Sequence, residues 1–363
     1  MRRRPLLFAF AAAAATPRLR AAELTARPLE FPGDFGAHPR QRIEWWYLTG
    51  HLSATGAQDE ADPRFGFQVT FFRARTPVNP AHPSRFAASQ LLFAHVALTD
   101  LAGARMRHDQ RIARTGFGLA EFALPDTRLS LRDWALQRSG PAQSSRYDAK
   151  VRSPGAGFSL ELQCRTTQPV FLQGEQGWSR KGPQPEQASL YYSQPHLEVH
   201  GSVHIDARQV VVQGLAWLDH EWTDSLLDAP AVGWDWIGMN LLDGSALMAF
   251  RLRRADGQAH YAGGSFRRPG AQPRVDASDS VHFKPLRWWT SPHSAARYPV
   301  HWAVQTASGA FEVKALLDDQ ELDSRASTGA IYWEGLSELL DAAGKRIGLG
   351  YLEMTGYAAA LRL

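Results

Sequence analysis

Residues 214–241 read GLAWLDHEWTDSLLDAPAVGWDWIGMNL. Aromatic and apolar runs flank a segment rich in Asp, Ser and Pro, the pattern of strand, turn and strand rather than of a helix. Four of the chain's 12 tryptophans, Trp217, Trp222, Trp234 and Trp236, fall here among Asp219, His220, Glu221, Asp224 and Asp235. Aromatic surface with carboxylates beside an imidazole is the composition of a lined pocket, where burial can move a pKa into a useful range. The same composition suits tryptophans that fill a barrel end while the charges cap turns outside it. Both readings stay open on composition.

Outward from this stretch the chain reads as strands and turns. Ile43 to Leu52 (IEWWYLTGHL), Phe65 to Arg73 (FGFQVTFFR) and Leu91 to Thr99 (LLFAHVALT) are short aromatic and β-branched runs between Gly, Pro, Asp and Asn. Alternation puts Glu44, Trp46, Leu48 and Gly50 on one face of the first run, and Leu91, Phe93, His95 and Ala97 on one face of the third. Further strands are expected at Phe158–Cys164, Leu197–Ile205, Gln209–Leu218, Trp234–Leu241, Ala246–Arg253, Val300–Gln305, Ala310–Leu317, Gly329–Glu334 and Leu349–Tyr357. Only Gly335 to Ala343 suggests helix, about two turns of it. Pro77 to Pro83 is a proline-dense loop, and Gly174 to Pro185 (GEQGWSRKGPQP) reads as a polar loop over a cavity mouth. Many short strands at near-regular spacing predict an all-β chain closed into antiparallel barrels, which removes exposed sheet edges. A domain boundary is expected near Gln213, giving domains over 23–213 and 214–363.

The chain opens MRRRPLLFAFAAAAATPRLRAAE, three arginines before an apolar run too short to span a bilayer. Residues 1–22 are therefore expected to be a cleaved signal peptide that directs the protein to a periplasm or outside the cell. Arg3-Arg4 loosely matches a twin-arginine signal, and the export route stays open. This leader alone carries five arginines and no acid, against a formal net charge of +4 for the whole chain, so nucleic acid is not an expected partner. Cys164 is the sole cysteine, which excludes an intrachain disulfide, and no later segment is apolar enough to be an integral membrane span.

Several site patterns fail on spacing. His220-Glu221 lacks the second histidine of a zincin, since Asp224 stands four residues on. His196, His200 and His204 would lie about 13 Å from one to the next along a strand, too far for one ion, and are expected on a solvated face with Glu198 and Ser202. No metal site and no cofactor are expected, for phosphate-binding glycine motifs, a Cys–His pair and a G-x-S-x-G elbow are all missing. Glu44, Gln68 and His95 could converge inside one barrel, either as a satisfied polar network or as a site. In the Trp-rich stretch, a desolvated Asp219, Glu221 or Asp235 could protonate an alkene, with indole faces stabilising the cation and His220 as base.

EWWYLTGHL, FGFQVTFFR, AHVALTD (Ala94 to Asp100), GLAWLDHEWTD and GWDWIGMNL, in that order, resemble the AttH-like proteins, relatives of the bacterial carotenoid 1,2-hydratases. The resemblance spans nearly the whole mature chain. It implies two lipocalin-like β-barrels in tandem, a ligand cavity lined from both, export, and genes beside ABC-transporter components. It also aligns Asp219-His220-Glu221-Trp222 with the hydratase site, whose acid is an aspartate on the following strand. Here that strand reads Ala246-Leu247-Met248-Ala249-Phe250-Arg251 and has no carboxylate.

Two functions are therefore expected in competition. The first is an exported protein that holds an apolar ligand, a lipid or isoprenoid, in a cavity lined by Trp217, Trp222, Trp234 and Trp236 with Glu44, Trp46 and His95, in the service of an ABC transporter. The second is a hydratase-like or cyclase-like lyase with Asp235, Glu221 or Asp219 as acid and His220 as base.

Overall fold

The computed structural model describes residues 24–56, 62–225 and 227–361. The expected leader over 1–22 lies outside them. The fold is all-β: two antiparallel sheets of 13 and 10 strands, with two short 3₁₀ turns among the described residues. No helix among these residues is long and apolar enough to cross a membrane.

The first sheet runs, edge to edge, through Arg105–Arg114, Gln90–Asp100, Phe65–Arg75, Ile43–Ala54, Arg208–Thr223, Ala188–Ile205, Phe158–Arg165, Arg146–Ser153, Trp134–Ser139, Arg128–Leu131 and Ala120–Phe122. It curls until its edges nearly meet, and side chains complete the closure. Arg111 ion-pairs with Asp133 and lies 4.0 Å over the Trp134 ring, while Ser153 Oγ donates to Asp109 at 2.7 Å. The interior holds one apolar core that includes Trp46, Leu48, Phe71, Leu136, Leu160, Leu218 and Trp222.

The second sheet orders Arg274–Asp276, Ala259–Arg267, Ala246–Arg254, Ala231–Leu241, Arg346–Met354, Ala330–Leu340, Gly309–Ala315, Arg297–Thr306 and His282–Thr290. It wraps its own core of Ile237, Leu247, Val300, Trp302, Trp333 and Leu352. Sheet membership changes between Thr223 and Ala231. The boundary expected near Gln213 thus falls inside the Arg208–Thr223 strand, which pairs throughout with the first sheet.

The two sheets meet face to face. Gly66 permits the approach, because a Cβ there would sit 2.8 Å from the Tyr351 hydroxyl and 2.9 Å from Leu336 Cβ. Polar pairs cross the seam: Thr99 Oγ1 donates to Gln320 Oε1 at 2.9 Å, and Asn240 Nδ2 donates to the Ala216 carbonyl at 3.1 Å.

Two local expectations are corrected. Residues 335–343 do not form a helix: Ala330–Leu340 is a continuous strand, because both Gly309–Ala315 and Arg346–Met354 offer it ladder partners. His196 does not share the solvated face of His200 and His204. The strand bulges between Gln194 and Leu197, His196 takes a φ of 53°, and its ring turns inward to the Ser245 carbonyl at 2.8 Å.

Candidate functional site

Because strand side chains alternate, the Trp-rich stretch feeds two different buried spaces. From Arg208–Thr223, Leu218, His220 and Trp222 point into the first barrel, whereas Trp217, Asp219 and Glu221 point into the seam between the sheets. The neighbouring Ile43–Ala54 strand divides likewise. Glu44 and Trp46 face the barrel; Trp45 and Tyr47 face the seam.

The seam opens into a cleft of about 1070 Å³, its mouth included. Aromatic rings of Trp45, Phe72, Phe93, Trp234, Trp236 and Phe250 line it. Trp236 packs edge-on against Tyr47 and Trp217, and its indole folds over Gly238, where a Cβ would lie 2.4 Å from the ring.

Into this apolar space project four carboxyl groups, Asp219, Glu221, Glu334 and Glu353. Asp219 accepts from Tyr191 Oη at 2.7 Å, Trp217 Nε1 at 2.6 Å and Ser193 Oγ at 2.5 Å. Burial still outweighs those donors and pushes its carboxyl up to about 7. Glu353 is likewise raised to about 7 by burial, against a hydrogen bond from Trp234. Glu334, directly opposite Glu353 in the strand register, is driven well above the usual carboxylate range by burial and by that neighbour. Lys181 Nζ, from the loop after Trp178–Arg180, pairs with Glu221 Oε1 at 3.0 Å and stands 4.3 Å over the Phe250 ring. The Gly174–Pro185 excursion therefore supplies a cation to the cleft. At the far end His95 hydrogen-bonds Tyr332 Oη at 2.8 Å and Ser327 Oγ at 2.9 Å. Burial lowers its imidazole to about 3, so it is neutral at pH 7.

The barrel face carries a separate, closed network. Glu44 Oε1 meets His220 Nε2 at 2.9 Å and His38 Nδ1 at 2.7 Å, and Oε2 accepts from Arg73 Nε at 2.8 Å. Desolvation opposes the Glu44 charge, but these partners hold its carboxyl well below the usual range. His220 is lowered to about 4 by burial, partly offset by Glu44, so it stays a neutral ring stacked on Trp46. His38 Nδ1 or Nε2, a Glu44 oxygen and a His220 nitrogen fall within 4.8 Å of one another, the spacing a metal ion needs. Each is already hydrogen-bonded, and the Arg73 guanidinium stands on the same carboxylate.

The structure thus separates the expected site residues. Trp234, Trp236, Asp219, Glu221 and His95 line the cleft, with Trp217 packed behind it. His220, Trp222, Glu44 and Trp46 lie on the opposite face of the sheet, so His220 cannot serve a carboxylate in the cleft as base. Glu44 does not converge with Gln68 and His95, which cross the seam instead. Asp235 is inside the second barrel, held by Arg251 Nε at 2.7 Å and Tyr357 Oη at 2.8 Å. The sequence reading missed Glu334, Glu353, Lys181, Tyr47 and Tyr332. A signal for two of them was present: Glu334 and Glu353 are lone acids in apolar strands, Ile331-Tyr332-Trp333-Glu334 and Tyr351-Leu352-Glu353-Met354.

The AttH-like family model matches residues 22–357. The crystal structure of an AttH protein from Nitrosomonas europaea is similar at a TM-score of 0.83 and 44% identity, covering 92% of this chain and 99% of that one. Kievitone hydratase from Nectria haematococca shares the fold at a TM-score of 0.68 and 13% identity, over 92% of this chain and 94% of its own. CghA with Sch210972 does so at 0.55 and 13%, over 90% of each. No curated protein matches the sequence.

Proposed function

The chain belongs to the AttH-like family, and on that premise we propose that it binds an apolar small molecule of lipid or isoprenoid type in the cleft between its two sheets. The observation that carries this reading is the cleft wall of six aromatic rings, which water solvates poorly and an apolar ligand would cover. Export to a periplasm and service to an ABC transporter go with the proposal. Fusing residues 1–22 to a reporter tests the first: the reporter crosses the inner membrane, and its retention in the cytoplasm refutes export. Binding is tested by indole emission, since Trp45, Trp234 and Trp236 line the cleft. Titration with a long-chain isoprenoid should change emission saturably. Trp234→Ala removes an anchor worth about 2 kcal/mol and should weaken binding roughly thirtyfold. Unchanged affinity would remove the cleft from consideration.

A second reading rests on a specific observation. At pH 7 Glu334 keeps its proton, and Asp219 and Glu353, both raised to about 7, are protonated about half the time, beside indole faces. That combination suits protonation of an alkene and stabilisation of the cation that results. The kievitone hydratase of the same fold makes hydration a chemistry worth testing. The acid would come from these three, since Asp235 faces away from the cleft and is held by Arg251. Under this reading Glu353→Gln keeps ligand affinity and abolishes turnover of a suitable alkene.

A further inference from the structure

One part of the cleft wall has hydrogen-bonding capacity that the protein does not use. The Tyr47 hydroxyl and Glu334 Oε1 are fully buried and, among the described residues, neither makes a hydrogen bond of good geometry, although the two stand close enough to interact with each other. Both groups line the cleft, and they adjoin although they come from different sheets. The other carboxyl oxygen is fixed from behind: Gln68 Nε2 donates to Glu334 Oε2 at 2.7 Å. Gln68 is itself anchored, its second N–H shared between Thr70 Oγ1 at 3.1 Å and Tyr332 Oη at 3.3 Å. This second layer sets the carboxyl plane and leaves Oε1 beside the Tyr47 hydroxyl, without a well-formed hydrogen bond to it.

The chemistry of these two atoms defines what could satisfy them. With Oε2 accepting from Gln68, the proton of a neutral Glu334 resides on Oε1, which becomes a donor beside the Tyr47 O–H. Among the described residues no cation faces the pair, because Lys181, the only Lys or Arg of them that lines the cleft, is committed to Glu221. An anionic group would also meet Glu353, opposite Glu334 in register. Two converging neutral donors in an apolar enclosure are the arrangement that binds and polarises a carbonyl oxygen.

We propose that Tyr47 and Glu334 form a two-donor subsite for a carbonyl oxygen of the ligand, which makes the cleft's ligand an apolar ketone or enone rather than a hydrocarbon or a carboxylate. This rests on the reading of the cleft as a binding site. A hydrocarbon would leave both donors buried and unpaired, whereas a carbonyl offers two lone pairs and no charge.

A matched pair of probes tests it, 2-acetylnaphthalene against 2-ethylnaphthalene, which differ by oxygen for two hydrogens. In the full protein at pH 7 the ketone should bind about tenfold more tightly than the hydrocarbon, read by indole emission and calorimetry. Its carbonyl stretch should move to lower frequency on binding. In Tyr47→Phe the ketone's advantage should collapse and the stretch should move back up. Glu334→Gln can present an N–H in place of Oε1–H and should keep most of the advantage. Equal binding of the two probes, or an advantage and a stretch untouched by Tyr47→Phe, overturns the subsite while leaving the cleft as a binding site. If neither probe binds, the cleft reading fails and the subsite with it.

Discussion

Glu353→Gln offers a measurement of the cleft's electrostatics that needs no ligand. The side chain is half-buried in the cleft wall, its carboxyl is raised from 4.5 to about 7 by desolvation, and Asp219 and Glu221 add to that effect. A carboxyl whose folded pKa lies above its unfolded one binds its proton more tightly in the folded state. Between those values the unfolded chain carries fewer protons, so stability falls as pH rises from about 4.5 to about 7 and is level beyond. At about 1.4 kcal/mol per tenfold, the charge costs the folded state ~3 kcal/mol at pH 8 and under ~1 kcal/mol at pH 5. Glutamine has the shape without the ionisation. Glu353→Gln should therefore gain on the wild type by ~2–3 kcal/mol more at pH 8 than at pH 5, seen as a melting difference of several degrees that opens with pH. Thermal unfolding of both proteins at the two pH values measures it. A variant with the same offset at both, or one that loses ground at pH 8, would show that the carboxyl is not raised in the folded state.

The barrel network should behave in the opposite sense. Glu44→Gln strands the Arg73 guanidinium, fully buried, and should cost about 3–5 kcal/mol in chemical denaturation. In the wild type the depressed Glu44 and Asp34 carboxyls contribute stability that is full above pH ~4.5 and lost as pH falls further, so acid unfolding should begin below pH ~4. Far-ultraviolet circular dichroism should be β-dominated, and a helix content above about a quarter would contradict the two-sheet architecture.

How much of this was legible in the sequence depends on the strand. Ile43–Leu52 and Phe65–Arg73 declare themselves by dense aromatic and β-branched residues, because both of their faces are buried, one in the barrel and one in the seam. Arg105–Arg114 (RMRHDQRIAR) gives no such signal. It is an edge strand whose arginines reach across to close the barrel, so its composition records ion pairs rather than a core. Arg146–Ser153 does alternate, burying Tyr147, Ala149, Val151 and Ser153, but small and polar inward residues mute the pattern. Residues 335–343 misled because Leu336, Leu339 and Leu340 have helical spacing, while the ladder on both sides overrides local preference. Within the Trp-rich stretch, alternation alone separates Asp219 and Glu221 from His220 and Trp222. What it cannot say is which face becomes a cleft, since that depends on where the second sheet docks.

Two glutamates show why the distinction between those faces matters for function. Glu44 and Glu334 are both fully removed from water and both sit on central strands among aromatic rings. Burial raises the cost of a charge equally on either face. The difference lies in the partners. Glu44 has Arg73, His38 and His220 within hydrogen-bonding distance, so its charge is matched and the network is closed. Glu334 has only neutral partners, the Gln68 amide on one oxygen and the Tyr47 hydroxyl beside the other, with a second acid opposite, so it keeps its proton and its outer oxygen makes no well-formed hydrogen bond. A matched charge fixes structure and has nothing left to offer a ligand. An unmatched neutral acid at the edge of a cavity holds a transferable proton and an open hydrogen bond. On that physical ground the seam, rather than the histidine-rich barrel interior, is where the proposed site is placed.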